Sequence, residues 1–378
     1  MDFSLTQTQE ELSALARRIL TDKETPERLA ELDRSGQGYD RALWSGLATA
    51  GILSAALPEN TGGDGLGLLE QCSVLVEIGR TVARAPYLGS IVLGAGAIAR
   101  FGSAGQVARW AVPAGGGDLI IAAALGEQGA DDPRAPSATA TLTADGWLLS
   151  GTKTAVPAGA DAGLFLVPAA TPDGTAVFCV EPADPGVTAE PQQLTDGPGF
   201  ARLILDRARI GADRVLGATG TGAEIANWLA DLATVGVCAT QLGVTEQALA
   251  MTAAYAQTRE QFGRPIGAFQ AVAQRLADAY IDVEAIRLTM WQAAWRLEAG
   301  LPAAEEIATA KFWAADGGHR VAHTAVHIHG GVGIDTSHPL HRYFTAAKQN
   351  EFALGGATAQ LRRLGAVIRS SALTESGT

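Results

Sequence analysis

All six histidines of the chain fall between His319 and His341. His319, His323 and His327 lie four residues apart, so on a helix they share one face from which imidazoles could ligate a metal. No neighbouring cysteine or carboxylate completes a ligand set, and the expectation is no metal site and a polar or ligand-facing helix side. A second stretch, Thr258-Arg259-Glu260-Gln261-Phe262-Gly263-Arg264-Pro265-Ile266-Gly267-Ala268-Phe269-Gln270, reads as a helix ending at Gly263, a rigid turn, and a new helix beginning near Phe269. An arginine at such a corner can offer its planar fork to a diphosphate, with Phe262 beside it to stack on a flat ring. A plain helix cap is the alternative. In a third stretch, Val326-His327-Ile328-His329-Gly330-Gly331-Val332-Gly333-Ile334, glycines after a helix let backbone approach a phosphate closely, although a simple turn also explains a Gly-Gly pair. The sequence contains no G-x-G-x-x-G opening a βαβ unit, no G-x-x-x-x-G-K-[ST], no H-E-x-x-H and no G-x-S-x-G.

These residues need elements to hold them. From Ser4 to about Ala108 apolar residues recur at helical spacing, as in Leu12, Leu15 and Ile19, with breaks at Pro58 and Gly62-Gly63. Between Ile120 and Leu216 the period becomes strand-like, in IIAAAL, SATATLTADGWLLSG, GLFLVPA, TAVFCVE and FARLILD. Asp145-Gly146 is the strongest hairpin signal among them and predicts a type I′ turn. Long amphipathic segments return at 222 to 257, 270 to 299 and 303 to 328, with Gly300-Leu301-Pro302 as a stop and restart. Helices, then strands, then helices exclude a doubly wound sheet. The expected class is α+β, with an N-terminal helical domain over 1–115, a middle β-barrel-like domain over 116–217 and a C-terminal helical bundle over 218–378.

Composition narrows the partners. The chain has 378 residues, 47% apolar and 18% charged, which is enough apolar content to fold, and its formal charge of −12 repels nucleic acid. The N-terminus lacks the basic and apolar regions of a secretory signal, and the longest uncharged apolar stretches, Tyr87 to Ala99 and Leu232 to Val244, are shorter than a membrane span of about 20 residues. Cys72, Cys179 and Cys238 are scattered as reduced, mostly buried thiols would be. A soluble cytoplasmic protein is expected.

The arginine corner and the glycine stretch, in this order and about 70 residues apart, resemble the acyl-CoA dehydrogenase family. So do the opening FSLTQTQEELSALARRIL, Leu57-Pro58-Glu59 with Gly62-Gly63, Glu77-Ile78-Gly79-Arg80, the central β segment and REQFGRPIGAFQAVAQRLAD. The resemblance implies the acyl-CoA dehydrogenase fold and FAD bound without a covalent bond between subunits. It also implies an acyl-CoA thioester as substrate and α,β-dehydrogenation, with electrons passed to an electron-transferring flavoprotein. Arg259, Phe262 and Gln270 would meet the diphosphate and adenine, and His327, Gly330 and Gly331 would form the second FAD stretch, with His327 where the family usually has glutamine.

That chemistry needs a carboxylate to remove the α proton while flavin N5 accepts a hydride. Counting from Lys348 places Leu354 at the family's base position, and aligning Gln360 places Gly356 there; neither can abstract a proton. Asp231 and Glu351 are the substitutes within the sequence, each against a reading as a solvated or capping carboxylate. The family's Thr-Glu-Pro-like turn appears as Leu125-Gly126-Glu127-Gln128-Gly129-Ala130-Asp131, and its flavin-lining Trp-x-Thr as Ala155-Val156-Pro157. An intact diphosphate corner beside a depleted flavin side resembles the non-catalytic subunit of actinobacterial-type heterotetrameric steroid-CoA dehydrogenases. A self-sufficient homo-oligomeric dehydrogenase, and a flavin monooxygenase or oxidase of the same fold, stay open as alternatives.

Overall fold

The change of period along the sequence becomes a change of architecture in the computed structural model, which describes residues 3–129 and 132–375. Helices come first: α1 (Gln7–Lys23), α2 (Pro26–Ser35), α3 (Arg41–Thr49) and α4 (Leu68–Thr81). Strands follow, and then five more helices: α5 (Gly222–Thr258), α6 (Gln270–Glu298), α7 (Ala304–His329), α8 (Leu340–Phe352) and α9 (Ala357–Glu375). The expected helical, sheet and helical order is the one found. Gly300, at φ 65° in the left-handed region, terminates α6 as the Gly-Leu-Pro signal requires. By contacts the chain divides into two units, one of residues 22–71 and 84–233, the other of 1–21, 72–83 and 234–378.

The first unit holds the sheet. Its strands are β1 (Ile121–Ala123), β2 (Thr139–Thr143), β3 (Gly146–Val156), β4 (Leu164–Thr171), β5 (Gly174–Val180), β6 (Val187–Leu194), β7 (Gly197–Ile210) and β8 (Val215–Leu216). They run in the order β6-β7-β3-β2-β4-β5-β8, with β1 parallel to β4, so the sheet is open. Alternate residues fill its core: Ala201, Leu203 and Leu205, then Ala208 and Ile210. The alternation slips by one residue at Asp206-Arg207, where Arg207 takes a φ of 50° and the β3–β7 register shifts, a bulge that keeps both apolar sets inside. The apolar run expected from Tyr87 becomes a buried π-helical stretch, Leu88–Ala95, continued by Gly96–Phe101. Among the described residues no helix is long and apolar enough to cross a membrane.

The hairpin at Asp145 forms, but its turn is a correction to the sequence reading. Thr143 pairs with Gly146, so Ala144 and Asp145 are the central residues, and neither has the positive φ of a type I′ turn. The left-over conformational demand falls on Gly146, at φ 125°. Behind the sheet, Lys153 is fully buried and its Nζ lies 2.5 Å from Glu127 Oε1. Glu127 also accepts the Ser137 and Ala138 backbone N–H groups at 2.6 and 3.0 Å, and the Ser137 hydroxyl. Burial raises a carboxylate, but the Lys153 ammonium, the Ser137 hydroxyl and the two N–H groups outweigh it and hold Glu127 down at about 2.

Glu24 shows the opposite case. Burial first, then the Asp40 charge, push its carboxyl up to about 7 against a backbone hydrogen bond from Arg84 and the Arg28 and Arg84 charges. A carboxyl raised in the folded state binds its proton more tightly there, so stability is complete below about pH 4.5 and falls as pH rises through 7. Glu24→Gln should therefore gain about 1–3 kcal/mol at pH 8 and almost nothing at pH 4.5, read by urea titration at the two pH values.

In the second unit, α4 and α5 touch backbone to backbone. A Cβ on Gly79 would lie 2.0 Å from the Thr240 carbonyl oxygen, and one on Gly243 would lie 1.9 Å from that of Val76. Alternating charges run beside this contact. Arg17 reaches Glu77 at 2.8 Å, Arg80 joins Glu77 at 3.2 Å and also pairs with Glu246, and Arg287 joins Glu246 at 2.5 Å. These contacts explain why Glu77, Gly79 and Arg80 occur together in the sequence. Tyr343 on α8 completes the junction by donating to the Arg80 carbonyl at 2.9 Å.

Candidate functional site

The arginine corner is built differently from the sequence expectation. Helix α5 stops at Thr258 rather than Gly263, and a two-strand hairpin follows, β9 (Glu260–Gln261) and β10 (Arg264–Pro265). Its central residues Phe262 and Gly263 have φ of 54° and 77°, the two positive values of a type I′ turn. The corner is tied down by Arg259 N–H donating to Tyr255 O and by Ile266 N–H donating to Arg259 O, both 2.8 Å. Arg264 stacks over Phe269, 4.2 Å from the ring centre, and Phe269 meets Phe262 edge-on at 6.2 Å.

Apart from these ring contacts the corner faces solvent. Phe262 is 92% exposed. Arg259 is exposed, and no hydrogen bond or ion pair of its guanidinium occurs among the described residues. Gln270 opens α6, also exposed. An aromatic ring held in water on a tight turn costs free energy unless something covers it.

The glycine stretch ends α7. Gly330 has φ 64° and ψ −139°, a region that only glycine reaches without strain. A Cβ on Gly330 or Gly331 would meet nothing within 4 Å, so both glycines border open space. His327 is exposed beside them. His329, by contrast, is buried: its ring stacks on Tyr255 at 4.2 Å, and Nδ1 lies 2.9 Å from the Ala325 carbonyl. Burial lowers its pKa against the hydrogen bond to the Ala325 carbonyl. The Tyr255–His329 stack joins the ends of α5 and α7, so the arginine corner and the glycine stretch lie side by side in one unit. Sequence reasoning gave neither ring this role. Their distance along the chain hid it, although both flank the motifs.

An unpaired arginine, an exposed aromatic and two glycines bordering open space fit the diphosphate-bearing half of FAD. The positions expected from the resemblance to line the flavin carry less. Ala155, at φ 52°, offers only a methyl group, and its N–H is already taken by Gln192 Oε1 at 2.9 Å; Pro157 has no N–H. Of the turn at 125–131, Ala130 and Asp131 lie outside the described residues, and Glu127 is committed to Lys153.

Leu354 and Gly356, the two positions at which the resemblance would put the base, lie after α8. Leu354 has φ 57°, and the Gln360 side-chain amide donates to the carbonyls of Leu354 and Gly355 at 2.9 and 3.2 Å. Lys311, fully buried, donates to the carbonyls of Asn350 and Glu351 at 3.0 and 3.1 Å, and burial pulls its pKa down to about 8. Gly356 contributes no side chain. The Glu351 carboxylate is held by Lys348 at 2.5 Å and faces His319 Nδ1 at 3.1 Å. Asp231 belongs to the other unit and pairs with Arg134.

The histidine row does share one face. His319 and His323 have ring centres 4.3 Å apart, and with His327 they border a groove of about 1030 Å³ between α6 and α7. Among the described residues no group of three or more His, Cys, Asp or Glu side chains is arranged to hold a metal ion. The three cysteines are free and buried, and burial pushes the thiols of Cys179 and Cys238 up to about 12.

Known proteins match this chain over nearly its whole length. The family model for the acyl-CoA dehydrogenase N-terminal domain matches residues 6–118, and that for the acyl-CoA dehydrogenase C-terminal domain matches residues 220–368. Acyl-CoA dehydrogenase FadE27 of Mycobacterium tuberculosis is 52% identical over 374 residues, which cover 97% of this chain and 98% of that protein. Among solved structures, a chain of the ChsE4–ChsE5 complex from Mycobacterium tuberculosis is 52% identical, with a TM-score of 0.93 and coverage of 98% of this chain and 99% of that one. A chain of a Tcur3481–Tcur3483 steroid ACAD variant is 42% identical, with a TM-score of 0.91 and coverage of 97% and 98%.

Proposed function

This chain belongs to the acyl-CoA dehydrogenase family, and from that premise we propose that it is the FAD-holding, base-deficient subunit of a heteromeric acyl-CoA dehydrogenase. The reaction is α,β-dehydrogenation of a lipid or steroid acyl-CoA thioester. One observation carries the reading: the Arg259 guanidinium is unpaired among the described residues and Phe262 is 92% exposed. The resemblance adds that the family's base position falls on Leu354 or Gly356, neither of them a carboxylate. Two of the similar structures are two-component complexes, one of them a steroid enzyme, which supports the same conclusion.

FAD is the family's cofactor and, when bound, supplies the two-electron acceptor for the dehydrogenation. Arg259 would pair with the diphosphate, Phe262 would cover a ring, Gln270 would bind the adenine end, and His327 with the Gly330-Gly331 backbone would line the second side. Proton removal from the α carbon falls to the partner chain's carboxylate, since Glu351 is held by Lys348 and Asp231 by Arg134. The reading includes a tetrameric assembly, an electron-transferring flavoprotein as acceptor, a cytoplasmic location, and domain divisions at 115/116 and 217/218.

The direct test is co-expression with an acyl-CoA dehydrogenase chain that carries the glutamate. FAD should co-purify stoichiometrically with the pair and sparingly with this chain alone; full occupancy of the single chain would instead support a self-sufficient homo-oligomer. Within the pair, Arg259→Ala removes a charge-assisted contact and should weaken FAD binding about 10- to 100-fold in a fluorescence titration. Unchanged affinity would leave Arg259 as a helix cap.

A further inference from the structure

Three rings from three segments meet beside the arginine corner. His329, at the end of α7, is 4% exposed, and its ring lies 4.2 Å from that of Tyr255 near the end of α5, at an interplanar angle of 20°. The ring of His338, in the link to α8, lies 5.4 Å from that of His329. Each imidazole is fixed by its own segment. His329 Nδ1 is 2.9 Å from the Ala325 carbonyl, which can only accept, so that nitrogen carries the proton and the bond sets the rotation of the ring. His338 Nδ1 accepts the Leu340 N–H at 3.3 Å, at the start of α8. The glycine stretch folds back onto the same place: a Cβ on Gly333 would lie 3.0 Å from Val326 Cα and 3.1 Å from His329 Cβ.

The stack connects to both sides of the candidate site through short runs of backbone. The Tyr255 carbonyl accepts the Arg259 N–H at 2.8 Å, one helical turn further on, and the Arg259 carbonyl accepts the Ile266 N–H at 2.8 Å. On the other side Gly330 follows His329 directly, and its N–H donates to the Val326 carbonyl. Arg259 and Gly330 thus each sit just past the last turn of a helix, and such turns open easily unless they are tied to something. We infer that His329 is a positioning residue for FAD: by stacking on Tyr255 it holds the end of α5 against the end of α7, so that Arg259 and the Gly330-Gly331 backbone are spaced before the diphosphate arrives. Imidazole suits the task because it offers Tyr255 a flat face and carries an N–H that locks the ring in place; an aliphatic side chain would supply neither.

The inference rests on the FAD site proposed above. Its test is a fluorescence titration of the co-expressed pair with FAD after the flavin has been removed. His329→Ala should weaken FAD binding about 3- to 10-fold, and His329→Phe, which keeps a flat ring, should recover most of the loss. Tyr255→Leu should weaken binding as His329→Ala does, and gives the same reading if His329→Ala does not fold. Because the effect passes in part through the arginine, His329→Ala should cost less in an Arg259→Ala background than in the unmodified chain. In the flavin-free pair, amide exchange over residues 259–266 should be faster in His329→Ala and unchanged in His329→Phe. Unchanged FAD affinity in both His329→Ala and Tyr255→Leu, a His329→Phe variant as weak as His329→Ala, or an equal loss in the two backgrounds would each overturn the inference. Full FAD affinity in Arg259→Ala alone would instead overturn the proposed site, and the exchange difference over 259–266 would remain, so the two can fail separately.

Discussion

The purified single chain should turn over acyl-CoA and steroid-CoA thioesters about 10²- to 10⁴-fold more slowly than the assembled pair, the usual cost of lacking a general base. The α proton of a thioester is weakly acidic, and Leu354 and Gly356 offer nothing to receive it. Substituting glutamate for Leu354 should not restore the rate by itself, because Ala155 and Pro157 would still leave the flavin side without its indole and hydroxyl. The measurement is steady-state reduction of an artificial electron acceptor, with the single chain and the co-expressed pair compared at matched concentration. Rapid turnover by the single chain would sink the subunit reading. In that event Asp231→Asn and Glu351→Gln would show which carboxylate serves as base.

The second large effect concerns stability. Lys153→Met should cost about 3–5 kcal/mol at pH 7, because it strands the buried Glu127 carboxylate without its counter-charge. In the intact protein the contribution of Glu127 is present above about pH 4.5 and is lost as pH falls through 2. Without Lys153 the carboxyl takes up its proton at higher pH, so the deficit should be smaller at pH 4 than at pH 7. Combining Lys153→Met with Glu127→Leu should recover much of the loss by removing both charges. Chemical denaturation at the two pH values distinguishes this from simple loss of packing, which would be independent of pH.

The order of helices and strands was legible because apolar periodicity follows directly from which face is buried. The bounds of α6 and α7 agree with the sequence reading to within a residue for that reason, whereas α5 stops at Thr258, short of the Gly263 end read from the arginine corner. Turn geometry was not. The type I′ turn belongs to Phe262-Gly263, where a bulky aromatic takes a positive φ that its residue type disfavours, while Asp145-Gly146 carries a different turn one residue earlier in register. Strand β6 escaped notice because Val187–Leu194 pairs only with β7, is half exposed, and contains Pro191, so no apolar alternation marks it. Of the site, Arg259, Phe262 and the glycines could be named from local spacing. The Tyr255–His329 stack and the Glu127–Lys153 pair depend on tertiary proximity, and nothing local encodes it.

The close contact of α4 with α5 bears on how the chain is made. Arg80 and Glu246 are 166 residues apart, and Gly79 meets its neighbour equally late in the chain. At ribosomal rates of about 5–20 residues per second, α4 emerges roughly 10–30 seconds before the surface that receives it. During that interval the part of α4 around Val76 and Gly79 lacks its partner on α5, and a nascent chain arrested near residue 217 would expose it to chaperones or to aggregation. Fragments cut between the sheet and the C-terminal helices would inherit the same defect, so the second unit can be obtained only from a chain that supplies both its early and its late segments.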